Sequence, residues 1–164
     1  LVVSSSSQSP QLALAALLDK HLPERLLHIG RSAMPAVDAF AHSHPHCQVA
    51  HTQAALPAEL ANQRYDLALV ADCLEHLPKR EGLQLLGGIR NLNTSRMAVL
   101  VDLAACEWQA TDFFALALQL AARFERGQQT LTLFTYDLLD YKQVPDWLNA
   151  KFWANPQMFG KYWW

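Results

Sequence analysis

The stretch YDLALVADCLEHLP, residues 65–78, decides how the chain is read. Its segment DLALVA is apolar on both faces, as a strand at the centre of a parallel sheet must be. The strand stops at an acid, Asp72, and runs into Cys73, Glu75 and His76 before Pro78 starts a helix. MAVLVDLA, residues 97–104, has the same two-sided character and also stops at an acid, Asp102. RLLHIG, residues 25–30, is a short apolar run closed by a glycine and predicts a third buried strand with a turn after it. CQVAHT, residues 47–52, is a weaker strand candidate.

Helical segments alternate with these strands. Ser9 and Pro10 supply an N-cap and a first helical residue for QLALAALLDKHL, which Pro23 stops. PAVDAFAHS, residues 35–43, predicts a second helix. After Pro78, Leu83, Leu86, Ile89 and Leu92 fall at helical spacing, and Gly87-Gly88 inside that run predicts close packing. Thr111 and Asp112 are expected to cap a helix over FFALALQLAARF, apolar nearly all round, and QTLTLFTYD predicts a late, more exposed strand. Strands and helices alternating at βαβ spacing give an α/β fold, a mostly parallel sheet with helices on both faces.

The 164 residues suit one domain, 1–164, with residues 1–9 as a flexible lead and 142–164 as an aromatic tail. Hydrophobic residues make up 51% and charged residues 17%, so much of the surface is expected to be covered. No Lys/Arg run is present, which argues against a phosphate-tracking nucleic-acid surface, and no apolar run approaches a membrane span. The chain starts at Leu1, which suggests a trimmed start, and LVVSSSSQSP lacks the basic opening of a secretory signal. Cys47, Cys73 and Cys106 are widely spaced and odd in number, so free thiols and a cytoplasmic location are expected.

YDLALVADCLEHLP resembles the fourth-strand region of class I S-adenosylmethionine-dependent methyltransferases of the small-molecule type, through Asp66, Asp72, Leu74, Glu75, His76 and Leu77. LQLLGGIRNLNTSRMAVLVD is similar to the helix and fifth strand that follow in that family, and RLLHIGRSAMP stands where its first strand and glycine loop belong. The chain is also similar to small bacterial proteins of this fold. The resemblance implies a three-layer αβα Rossmann-like methyltransferase fold with a mostly parallel sheet, and S-adenosylmethionine as cofactor, with Gly30, Arg31, Ser32, Asp72 and Cys73 as its binding residues.

It also implies determinants that this sequence lacks. The acid expected two residues before Gly30 is His28, the later loop glycines are Ser32 and Met34, and Pro35 has no N–H to offer. Met34 is expected to fill the space of the cofactor's methionine part. No acid between Phe40 and Leu56 matches the ribose-gripping one, and the adenine-side acid falls near Gln53. HTQAALPAELANQRYD resembles the segment after the family's third strand, so one strand–helix unit is shortened or deleted and the sheet is reduced at one edge.

The expectation is a divergent methyltransferase-like protein with a degenerate cofactor site, weak or lost S-adenosylmethionine binding and a non-catalytic or interaction role. The alternative is an active methyltransferase on a small molecule, in which Gly30, Arg31 and Ser32 cradle the cofactor and Asp72 to His76 line the transfer centre. Whether the protein is an enzyme stays open at this point.

Glu75 and His76 are candidates for an acid/base pair; the simpler reading has His76 bonding backbone and Glu75 facing solvent. His42, His44, His46, Cys47 and His51 carry zinc-ligand chemistry, but Pro45 interrupts them and the spacing fits no closed site, so no metal is expected. Asp102 faces a ligand or caps the next turn. Cys73 and Cys106 have no base beside them in sequence and read as buried thiols. The tail, with Trp147, Trp153, Trp163 and Trp164, is expected to pack on the body in place of the family's final antiparallel strand; a homodimer or protein-partner surface is the alternative.

Overall fold

The structure is a computed structural model, and it describes residues 5–6 and 9–138. The tail expectation lies outside them; of the lead expected to be flexible only residues 5, 6 and 9 are described, and Ser5–Ser6 pair with Arg123–Phe124 as a sheet strand. The strands are β1 (Ser5–Ser6), β2 (Arg25–Ile29), β3 (Gln48–Thr52), β4 (Leu67–Ala71), β5 (Arg96–Val101), β6 (Gln119–Arg126) and β7 (Gln129–Asp137). The helices are α1 (Pro10–His21), α2 (Pro35–Ser43), α3 (Ala58–Ala61), α4 (Lys79–Gly88) and α5 (Ala110–Ala115). One sheet runs in the order β1-β6-β7-β5-β4-β2-β3. The pairs β2/β3, β2/β4 and β4/β5 are parallel, and β7 is antiparallel to both β5 and β6.

The period-two geometry of strands explains the layers. Ala68 and Val70 of β4 face one core with Leu27, Ile29, Met97, Val99 and Val101, beneath Leu86 and Ile89 of the α4 segment and Phe113 of α5. Leu67 and Leu69 face the other with Leu26, Ala98 and Leu100, beneath Leu14 and Leu18 of α1 and Val37 and Phe40 of α2. Ser9 caps α1 by accepting from the Gln11 N–H at 3.2 Å, as expected. The Gln11 side chain accepts from the Ala36 N–H at 3.0 Å and ties α1 to the start of α2.

Among the described residues the sheet ends at β3, where Val49 is 39% exposed. Between β3 and β4 the chain forms only the short α3, so the reduced edge is present. His51 and Thr52 belong to β3 itself.

Three local expectations are corrected. FFALALQLAARF is not one helix: α5 stops at Ala115, Ala117 takes a left-handed φ of 69°, and residues 119–126 are β6. An apolar run without a polar face suits a covered strand as well as a covered helix, and pairing with β7 decides between them. The hairpin turns at Gly127 (φ 62°), and a bulge between Leu120 and Ala122 blurs the alternation. The cap of α5 is Gln109, whose N–H donates to Asp112 Oδ2 at 2.8 Å. β7 lies inside the sheet, with Leu133, Phe134 and Tyr136 buried, and β7 and β6 already supply the antiparallel strands. The tail is therefore not needed to replace them.

Gly87 and Gly88 are not closely packed, since a Cβ on either meets nothing within 4 Å among the described residues. Leu86 and Ile89 are buried, whereas Leu83 and Leu92 are exposed. The helix loosens after Gly88 into a π-helical turn, Ile89–Asn93. No helix among the described residues is long and apolar enough to cross a membrane.

Candidate functional site

The strand order reverses direction between β2 and β4, and in open α/β sheets the crevice at the carboxyl ends of such a pair is where ligands lie. Gly30 follows β2 at this point. A Cβ there would stand 1.8 Å from the carbonyl oxygen of Ala71, so only glycine fits against the end of β4. The next residue pair closes the approach: the Arg31 N–H donates to the Asp72 carbonyl at 3.2 Å.

Asp72 adopts a left-handed φ of 53°, a conformation that Asp tolerates better than most residues. Its Oδ2 accepts a hydrogen bond from the Ser32 hydroxyl, and its Oδ1 meets His76 Nε2 at 2.7 Å. The Ser32 hydrogen bond, with His76 and Arg31 adding to it, holds the Asp72 carboxyl below the ordinary carboxylate range, against the opposing effect of burial. The order is hydroxyl, carboxylate, imidazole. His76 is thus engaged with the acid and is not placed as a base for Ser32, unlike a nucleophilic triad.

Of the five expected binding residues, the structure brings Gly30, Arg31, Ser32 and Asp72 together. Cys73 departs: its side chain is 1% exposed in the core, and burial, with Glu75 and Asp72 contributing, pushes its thiol up to about 11. Burial also raises the thiols of Cys47 and Cys106, and all three cysteines are free.

Glu75 and His76 part company. His76 turns to Asp72, while Glu75 Oε2 accepts from the Asp102 N–H at 2.8 Å and ties β4's end to β5's end. Neither detail of the simpler reading holds, because His76 bonds a carboxylate and Glu75 is half-buried with Oε1 enclosed and unpartnered among the described residues. Asp102 serves the turn: Oδ1 accepts from the Ala104 N–H at 3.0 Å and Oδ2 from Gln129 Nε2 at 3.2 Å. Met34 is buried among Leu14, Leu18, Leu26 and Phe40 under α1 and α2.

His28 is buried on β2, its ring 4.7 Å from that of His51, its in-register neighbour on β3. His28 Nε2 has no partner among the described residues, and burial, reinforced by His51, lowers its pKa, with Asp38 acting in the opposite sense. His51 Nε2 lies 3.1 Å from the Gly30 carbonyl, so this pair backs the Gly30 turn. His44 instead stacks on Phe40. Among the described residues no three His, Cys, Asp or Glu side chains group as a metal site requires.

A groove of about 340 Å³ lies between α4 and the segment that follows β3, lined by Ala54, Leu56, Ala61, Leu85, Gly88 and Leu92 among others. Asn93 fixes its far wall: buried, it donates to the carbonyls of Ala61 at 2.9 Å and Gln63 at 2.7 Å. Sequence reasoning missed this groove. Its one signal was Gly87-Gly88, which marks open space where close packing was expected.

Topology and crevice together define the class, a methyltransferase-like α/β fold of class I. Several solved structures share it. A protein assigned as an O-methyltransferase from Nostoc punctiforme PCC 73102 is 16% identical at a TM-score of 0.58, over 77% of this chain and 55% of that one. The S-adenosylmethionine-dependent methyltransferase SibL is 14% identical at 0.56, over 78% and 54%. Magnesium protoporphyrin IX methyltransferase from Synechocystis PCC 6803, with S-adenosylmethionine bound, is 12% identical at 0.53, over 76% of each chain. The chain spans just over half the length of the first two. No curated protein matches it. The chain belongs to a family of unknown function (DUF6231), whose model matches residues 8–164.

Proposed function

We propose that this protein keeps the methyltransferase frame without the ordinary use of its crevice: S-adenosylmethionine binding is weak or lost, and the protein acts through contacts and not through methyl transfer. The observation that carries this is the Asp72 carboxylate. It is shared between Ser32 and His76, while the Arg31 N–H donates to the Asp72 carbonyl, so the two loops that should part around a cofactor are laced together.

The missing acids point the same way. At the end of β2 stands His28, and just past β3 stands the uncharged, exposed Gln53. Each hydrogen bond to a charged group contributes about 1.5–3 kcal/mol. Two such losses weaken binding by about a hundredfold or more. The residues present do not fit the cofactor.

S-adenosylmethionine remains the ligand to test, because structural neighbours are named as methyltransferases and one holds it. Titration of the purified chain with S-adenosylmethionine and S-adenosylhomocysteine by calorimetry should give no saturable heat at micromolar ligand. Micromolar binding would overturn the proposal and favour a working methyltransferase on a small molecule. In that event Asp72→Asn, which weakens the lacing, should tighten or loosen the measured affinity and so show whether the ligand enters this crevice.

A further inference from the structure

We infer that the groove between α4 and the segment after β3 is the seat of this chain's own aromatic segment, residues 139–164. The inference does not depend on whether the crevice binds S-adenosylmethionine.

The groove is mostly apolar, and its side formed by the α4 segment is open. Leu92 is 68% exposed, and a Cβ at Gly88, which lines the groove, or at its neighbour Gly87 would meet nothing within 4 Å among the described residues. Two glycines in a helix disfavour it by about 1 kcal/mol each relative to Ala, so their presence needs a reason beyond the helix. Room for another segment against that face supplies one. Asn93 holds the opposite wall in place, so the cleft is built and not a surface irregularity.

The position of the chain's departure selects the occupant. The Leu138 N–H donates to the Ser95 carbonyl at 2.7 Å, two residues from Asn93, which lines the groove. The Leu138 side chain packs against the same core that Leu56, Leu77 and Leu85 cover. The chain therefore leaves β7 on the groove's face and beside its lower end. From Glu81 to Leu92 a helical path rises about 16 Å. Residues 139–164 exceed that reach even as a helix. They carry Trp147, Phe152, Trp153, Phe159, Trp163 and Trp164, side chains suited to covering apolar surface. Glu81, the only charged residue lining the groove among the described residues, would meet a segment in which Lys142, Lys151 and Lys161 outnumber Asp140 and Asp146.

Four of the five tryptophans fall in residues 139–164, and the fifth, Trp108, is buried, so tryptophan emission reports on the segment. In the full chain, emission should be blue-shifted and protected from acrylamide, independently of protein concentration. Leu92→Glu alters an exposed side chain, and Gly88→Phe fills open space, so neither should disturb the rest of the fold. Each should shift emission to the red and remove the protection, with far-UV circular dichroism unchanged. Emission already exposed in the wild type, or unchanged in both variants, would overturn the inference. So would protection that grows with concentration, which marks a second copy as occupant. Protection that disappears when a co-purified small molecule is removed would do the same and mark a ligand site.

Discussion

Gly30→Ala separates two reasons for a glycine after β2. One is access for a ligand, and the other is the fold itself. The added Cβ would lie 1.8 Å from the Ala71 carbonyl oxygen and 3.0 Å from its carbon, both backbone atoms that no rotamer change can move. Relief requires β2 and β4 to part at their carboxyl ends. Overpacking of a rigid site is destabilising by about 1–3 kcal/mol. Parting the strands also strains the Gly30 N–H bond to the Thr52 carbonyl and the Arg31 N–H bond to the Asp72 carbonyl, each contributing about 1 kcal/mol. The expected loss is about 3–5 kcal/mol, a large share of the total stability of a domain. Urea unfolding followed by circular dichroism measures it, with Gly88→Ala as a matched control at an unpacked helical glycine. A loss below about 1 kcal/mol for Gly30→Ala would refute the steric reasoning.

Other expectations follow from single contacts. His28 has a lowered pKa, so as pH falls below the ordinary histidine value the unfolded chain takes up a proton that the native state resists. Stability should therefore decline from neutral pH toward about 5, and His28→Leu should flatten that slope; an identical slope in the variant would exclude His28 as its source. Asp66 Oδ2 accepts from the N–H groups of Glu24 and Arg25, both at 2.9 Å, at the start of β2. Asp66→Ala should remove about 1–3 kcal/mol and Asp66→Asn less, read as a fall in Tm; equal effects would show that the accepted hydrogen bonds do not matter. Cys73, buried and with its thiol near 11, should resist alkylation in the native protein and react only on unfolding. Labelling of native Cys73 as fast as that of a free thiol would contradict its placement.

The central sheet was legible because β2, β4 and β5 are short, two-sided apolar runs, which only a covered parallel sheet accommodates. The reduced edge was legible from the absence of a strand between Thr52 and Tyr65. β6 was not, since ALQLAARFER carries no periodicity that excludes a helix and takes its conformation from pairing with β7. The meeting of Gly30, Ser32 and Asp72 was legible from the fold resemblance. Their bonding was not: the left-handed turn at Asp72, which aims its carboxylate at Ser32 and His76, has no signature in composition. The His28–His51 contact joins residues on different strands and depends on register, which spacing along one strand does not encode.

The two kinds of glycine carry opposite messages about function. A glycine after the first parallel strand is ordinarily weighed as a sign of a phosphate or nucleotide loop. Here the Ala71 carbonyl demands Gly30 whether or not anything binds, so its presence says nothing about a cofactor. Gly87 and Gly88 are demanded by no described neighbour, and they weaken the helix that carries them. A residue that the visible packing explains is poor evidence for a ligand. A residue that the visible packing leaves unexplained, as Gly88 is on the wall of the groove, is better evidence that something covers it. On that criterion the surface to probe first is the α4 groove and not the laced crevice.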